Sequence, residues 1–167
     1  MTKKSTKNYT VKLKAGIVIR HRGKVLLIRE RNNRLHQYRW NIIKGTFEPG
    51  KDSSILETAV REAREEAGAK IKLKYFLAAY YLLDGQNALM MLTFVADLLD
   101  PRVGAPSPKL QSKYGSDNVI GVKLFTKKDL TKLKPKDFVG MRGYLAIQEY
   151  LKGTRFPLGM IKILPPK

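Results

Sequence analysis

GTFEPGKDSSILETAVREAREEAG, residues 45–68, is the stretch on which the reading of this chain turns. It holds Glu48, Asp52, Glu57, Glu62, Glu65 and Glu66, six of the fourteen acidic residues of a 167-residue chain whose formal net charge is +19. Ser54 followed by Glu57 spells a capping box, in which the hydroxyl accepts the Glu57 amide proton and the carboxylate reaches back to the Ser54 amide. A helix is therefore expected to begin near Ile55. Leu56, Ala59, Val60, Ala63 and Ala67 recur at helical spacing and predict its apolar face, and Gly68 supplies a left-handed stop. On the same wheel Glu62, Glu65 and Glu66 fall within an arc of about 100°. Three carboxylates are expected on one face.

Such a face is either a solvated surface, with Glu57 and Arg61 as an i, i+4 pair worth about 0.2–0.5 kcal/mol, or a site for a divalent cation. Hard cations such as Mg²⁺ take oxygen ligands, and crowded carboxylates are costly unless a cation or an arginine neutralises them. The residues ahead of the helix favour the cation. Lys44-Gly45-Thr46-Phe47-Glu48-Pro49-Gly50 is a glycine-bracketed turn after an expected strand at Trp40 to Ile43, and glycine lets the main chain approach an ion or phosphate.

Strand, glycine loop and carboxylate helix together resemble the signature of the Nudix hydrolases. In that family a glycine and, six residues on, a glutamate precede Arg-Glu, an apolar residue, any residue, Glu-Glu, any residue, Gly and an apolar residue. Gly45 opens the pattern here, and Arg61-Glu62-Ala63-Arg64-Glu65-Glu66-Ala67-Gly68-Ala69 closes it. Two positions depart from it. Lys51 stands where the first glutamate belongs, and the stretch from there to Arg61 is two residues longer. Asp52, Glu57 and Glu48 are the carboxylates at hand to brace Arg61 instead.

The rest of the chain reads as strands and helices in alternation. Val11 to Ile19 with Lys24 to Ile28, and Ile71 to Leu83 with Ala88 to Leu98, are expected as hairpins, the first turning at His21-Arg22-Gly23 and the second near Asp84-Gly85. Pro101 to Asn118 is a long loop, Val119 to Phe125 a short strand, and a final helix carrying Phe138, Met141, Leu145 and Tyr150 should end near Gly153. The resemblance implies an α/β fold, an α/β/α sandwich with a mixed β-sheet. It covers residues 10–152, between a basic, disordered tail at 1–9 and a C-terminal extension at 153–167.

Composition sets outer bounds. A chain 43% hydrophobic and 28% charged supports one core. It has no cysteine, which excludes disulfides and thiolate metal sites. Its longest apolar run, Phe76 to Leu83, is too short for a bilayer, so the expected setting is cytoplasmic, with no membrane partner.

The resemblance implies a metal-dependent attack of water on phosphorus, splitting a diphosphate linkage in a nucleoside diphosphate joined to another group. Glu62 and Glu66 would hold Mg²⁺ or Mn²⁺, Glu65 would be a third ligand or orient the water, and the Lys44 carbonyl would complete the site. Arg61 would position the carboxylates. Substrate contacts are expected from Arg29, Arg31, Lys44 and Gly45, and a distal carboxylate from Asp117. Trp40 is expected in the core more than as a base platform, His21 and His36 lie in turns, and only one of Tyr80 and Tyr81 should face the ligand side of the sheet. Markers of the ADP-ribose, NADH and coenzyme A subfamilies are absent, and the isopentenyl diphosphate isomerases need a cysteine. The excess of lysine and arginine fits two function classes. One is an enzyme that draws in polyanions such as nucleotides or the 5′ end of RNA; the other is a Nudix-like module, catalytically impaired by Lys51, that binds nucleotides or RNA through its basic surface. RNA binding that survives Glu66→Gln and weakens steeply with salt would mark the second.

Overall fold

Strand β1 (Thr10–His21) is the axis of the fold, because three other strands pair with it. In this computed structural model, which describes residues 10–32, 35–85, 87–100 and 119–164, β1 runs parallel to β6 (Asn87–Leu98) along one edge. Its other edge is shared. Ile19 to His21 pair antiparallel with β2 (Lys24–Asn32), and Lys14 to Ile17 pair antiparallel with β4 (Ile43–Thr46). β3 (Gln37–Asn41) and β7 (Val119–Thr126) extend the sheet from β2, and β5 (Ile71–Asp84) closes it beyond β6. The seven-stranded sheet, in the order β3-β2-β1-β6-β5 with β4 on β1 and β7 on β2, is mixed, as the resemblance implied.

The alternation of side chains along β1 builds two cores. Ala15, Ile17 and Ile19 pack under helix α1 (Ile55–Ala67) together with Leu26, Ile28, Phe94 and Ala96. Val18 faces the other way, joining Val25, Leu27, Met91 and Val95 beneath Ala146 and Ile147 of the C-terminal helix. That helix (Met141–Lys152) is α3, since a one-turn helix α2 (Lys127–Leu130), not foreseen from sequence, follows β7 with its own Thr126–Asp129 capping box.

Helix α1 starts and stops where its caps dictate. The Ser54 hydroxyl accepts the Glu57 amide proton at 3.2 Å, and Gly68 takes φ +61°. The reciprocal half of the expected capping box is displaced by one residue: the Glu57 carboxylate accepts from the Ser53 amide and hydroxyl, each at 2.6 Å. The buried face is also rotated from the expected stripe. Ile55, Thr58, Ala59, Glu62, Ala63 and Ala67 are buried while Val60 is exposed, because polar Thr58 and Glu62 have hydrogen-bonding and charged partners, Asp52 and Arg61, that make their burial tolerable.

Other expectations shift by small amounts. The strand expected at Trp40 to Ile43 is two strands meeting at Ile42, and the paired hairpins are one to four residues longer than their apolar runs. Tyr81 is exposed and Tyr80 packs into the α3-side core. The C-terminal extension returns to the sheet: Phe156 exchanges both main-chain hydrogen bonds with Phe76, and Leu158 and Ile161 pack on the α1-side core. The tail at 1–9 and the loop at 101–118, with Asp117, lie outside the described residues. Among the described residues no helix is long and apolar enough to cross a membrane.

Candidate functional site

The last two turns of α1 lie against β4, and Gly45 makes that approach possible. A Cβ built on Gly45 would fall on the Glu62 carboxylate, so any side chain there displaces the acid. One turn further on, the Glu66 carboxylate accepts the Lys44 amide proton at 3.1 Å. Strand, glycine and helix thus bring Lys44, Gly45, Glu62 and Glu66 together. Gly45→Ala is expected to lower Tm by several degrees and cut turnover by more than tenfold, measured by thermal unfolding and initial rates on the same preparation, because a methyl group evicts a buried carboxylate.

Burial sets the electrostatics. Glu62 is 8% exposed, and burial, with the neighbouring Arg61 opposing it, raises its pKa above the usual carboxylate range. Glu66 is pushed up to about 8, first by burial and then by the nearby Glu30 charge, against the opposing pull of Lys44. Lys14, which extends from β1 beside Lys44 and Arg142, has its pKa lowered by burial and by those two cations. Acids and bases stand together where α1 packs on β1 and β4.

Arg61 ties the carboxylates to the loop. Its Nε and Nη2 donate to the two oxygens of Asp52 at 2.8 and 3.0 Å, and Nη2 also donates to the Thr46 carbonyl at 3.1 Å. Nη1 reaches both Glu62 Oε1 and Glu65 Oε2 at 2.8 Å. Of the three carboxylates offered by the sequence as substitutes for the missing glutamate, the structure selects Asp52. Its side chain is fully buried, accepts from the Glu48 amide and the Thr58 hydroxyl as well, and is held well below the usual carboxylate range chiefly by the Arg61 hydrogen bonds. Glu57 is engaged by Ser53, and Glu48 pairs with Lys51 at 2.6 Å in solvent. The two extra residues carry the chain around so that Asp52, one place beyond Lys51, meets the guanidinium. Lys51→Glu is accordingly expected to change kcat/KM by less than about threefold, since exposed ion pairs contribute little.

Two buried polar residues were not singled out from sequence. Glu30, 7% exposed, accepts from Lys44 Nζ at 2.8 and 2.9 Å and from Asn41 Nδ2 at 2.8 Å. Asn41 lies against Gly143 of α3, where a Cβ would strike its side-chain oxygen. The available signal was phase: Glu30 follows Leu26 and Ile28 at strand spacing, on the buried side of VLLIRE. Glu30, held in turn by Asn41, fixes the Lys44 side chain, while the Lys44 amide serves Glu66.

The expected substrate arginines are drawn to other partners. Arg29 lies over the Trp40 ring, 5.7 Å from its centroid, and Arg31 approaches His36 Nδ1 at 3.4 Å. Among the described residues no group of three or more acidic or histidine side chains is gathered into a ready cation cage, since Arg61 stands between Glu62 and Glu65.

A NUDIX domain model matches residues 11–146. No curated protein matches the chain. Among solved structures, a NUDIX hydrolase from Nitrosomonas europaea superposes with a TM-score of 0.72 at 20% identity, covering 92% of this chain and 97% of that one. An ADP compounds hydrolase gives 0.58 at 22% identity over 85% and 74% of the two chains. A UDP-X diphosphatase gives 0.60 at 19% identity over 90% and 68%.

Proposed function

Since this chain belongs to the Nudix family of pyrophosphohydrolases, we propose that it hydrolyses a diphosphate linkage in a nucleoside diphosphate bonded to a further group, using Mg²⁺ or Mn²⁺ held by the carboxylates of α1. The observation that carries this reading is the placement of Glu62, buried, and Glu66, half-buried, against Gly45 and Lys44, two acids whose charged forms are disfavoured there at a cost that a hard cation offsets. The residues fit such an ion. Their donors are all oxygens, Gly45 leaves room only for the Glu62 carboxylate, and the Glu66 oxygen already touches the backbone of the glycine turn. When bound, the cation neutralises the diphosphate and makes its water a better nucleophile.

The chain's own groups do the rest. Glu62 and Glu66 hold the ion with the Lys44 carbonyl, and Glu65 is a third ligand or orients the attacking water. Arg61, locked by Asp52, keeps Glu62 and Glu65 in position and its charge compensates them until the ion arrives. Lys14, Lys44 and Arg142 give the site a positive wall that attracts polyanions. Asp117 is the candidate for the distal carboxylate. That two of the similar structures are hydrolases of ADP compounds and of UDP-X supports a nucleoside diphosphate derivative as substrate.

The competing reading, an impaired module that only binds, drew its force from Lys51, and the Asp52 brace supports the hydrolytic one instead. A panel of nucleoside triphosphates, nucleotide sugars, dinucleoside polyphosphates and 5′-triphosphorylated RNA, assayed for released phosphate or nucleotide with Mg²⁺, with Mn²⁺ and with EDTA, tests it. Cleavage of one class that requires the ion is expected; no cleavage across the panel overturns the proposal.

A further inference from the structure

On the outer side of β3 lies a groove of about 470 Å³ that the hydrolytic site does not use. Its walls are Arg29, Tyr38, Arg39, Trp40 and, from the one-turn 3₁₀ segment Pro135–Asp137, Lys136. Trp40 is half-buried, packing against the α3-side core on one side and lining this groove on the other. Its ring meets the buried Phe125 ring edge-on at 4.8 Å and 79°, which fixes its orientation, while the Arg29 guanidinium lies over it at 5.7 Å. The cations continue past the groove, since Lys123 sits 5.1 Å above the Phe125 ring on neighbouring β7. The one acid in the groove, Asp137, accepts the Lys134 amide proton at 2.7 Å, capping its own turn.

We propose that this groove binds a single-stranded nucleic acid segment, with a base stacked on the Arg29–Trp40 or Tyr38 surface and the backbone phosphates on Arg29, Arg39 and Lys136. Stacking surfaces interleaved with cations are what a flexible polyanion carrying planar bases requires, and each stacked base contributes roughly 1–3 kcal/mol. A free nucleotide would use the rings and one or two cations. It would leave Lys123 and the open ends of the groove without a role, whereas a strand runs through them. Asn41, next to Trp40 in β3, bonds the Glu30 that holds Lys44, while the groove's walls include none of the α1 carboxylates.

Trp40 is the chain's one tryptophan, so its fluorescence reports on this groove alone. The full-length protein is titrated in EDTA with a twelve-nucleotide oligouridylate bearing a 5′-hydroxyl, a probe with no anhydride to hydrolyse; failure of the hydrolytic reading therefore leaves the result untouched. Expected are saturable quenching, an affinity at least tenfold weaker in Arg29→Ala/Lys136→Ala, and a plot of log affinity against log salt whose slope is shallower by about 1.4 in that variant, two phosphate contacts having been lost. Lys136→Ala alone, in an exposed turn, serves as the variant that keeps the sheet intact and should weaken binding about threefold or more. Unchanged affinity in both variants overturns the proposal. So does equal quenching by heparin, which has charge without bases, or binding of uridine monophosphate as tight as that of the oligomer.

Discussion

Glu62→Gln and Glu66→Gln are each expected to lower kcat by about a thousandfold or more at saturating Mg²⁺, with the fold retained. The reasoning is one of charge. Each carboxylate supplies a full negative charge to an ion that must stabilise phosphates in the transition state, and a loss of about 4 kcal/mol there corresponds to three decades in rate. The isosteric amide keeps the shape that Gly45 accommodates but not the charge. Without the ion, stability at pH 7 should hold or rise. An acid whose folded pKa lies above its unfolded value costs stability once the pH exceeds that unfolded value, and Glu66, at about 8, is such an acid, whereas glutamine has no proton to lose. Initial rates, calorimetric titration with Mg²⁺ and thermal unfolding on the same samples check this. Full turnover in both variants would falsify the assignment of these residues to the ion.

Asp52→Ala is the second large effect, and it should register first as stability. The side chain is completely buried and holds Arg61 through two hydrogen bonds, the Glu48 amide through a third and the Thr58 hydroxyl through a fourth. Removing one partner of a buried ion pair costs about 3–5 kcal/mol, and Glu62 and Glu65 remain to compensate Arg61, which favours the lower end. For a chain of this size about 3 kcal/mol lowers Tm by roughly 6–12 °C. Turnover should also fall, by about 10–100-fold, since a support of the ligand residues is lost. The pH dependence has a definite sign. Asp52 is held below the usual carboxylate range, so its stabilisation is present above the unfolded value near 3.9 and disappears as the pH falls through the lower folded value. Wild type should therefore lose stability below about pH 4 more steeply than Asp52→Ala, and denaturant unfolding between pH 3 and 7 measures the difference.

These effects rest on residues that differ in how plainly the sequence announces them. Gly45 was tied to the helix carboxylates only by the family resemblance, whereas Glu62, Glu65, Glu66 and Arg61 share one helix, where periodicity alone brings them together. Ser54 and Gly68 mark the ends of α1 for the same local reason. Asp52 was one of three carboxylates within reach, and choosing it needed the path of the loop, which the Pro49–Asp52 bridge and the Glu48 amide define. Glu30 and Lys14 were less legible still. Their roles come from strand pairing across the sheet, Gly16 opposite Lys44 and Ile28 opposite Asn41, and no local pattern encodes which strands will be neighbours. The displaced stripe of α1 has a similar cause. Glu62 and Thr58 count as polar in a hydrophobic pattern, yet their partners Arg61 and Asp52 make burial tolerable.

The return of Phe156 to Phe76 bears on what happens when many copies of this chain meet. Among the described residues β5 borders β6 on one side and closes the sheet on the other, with Tyr81, Leu82 and Leu83 exposed toward its far end. An open edge of that length is a template on which another strand can grow, and such edges seed aggregation. Phe156 closes part of that edge through its pair of main-chain bonds with Phe76, and the charge of +19 makes two approaching copies repel. Colloidal stability in this protein is thus divided between a short clasp of backbone and a long-range field, and only the second is weakened by salt.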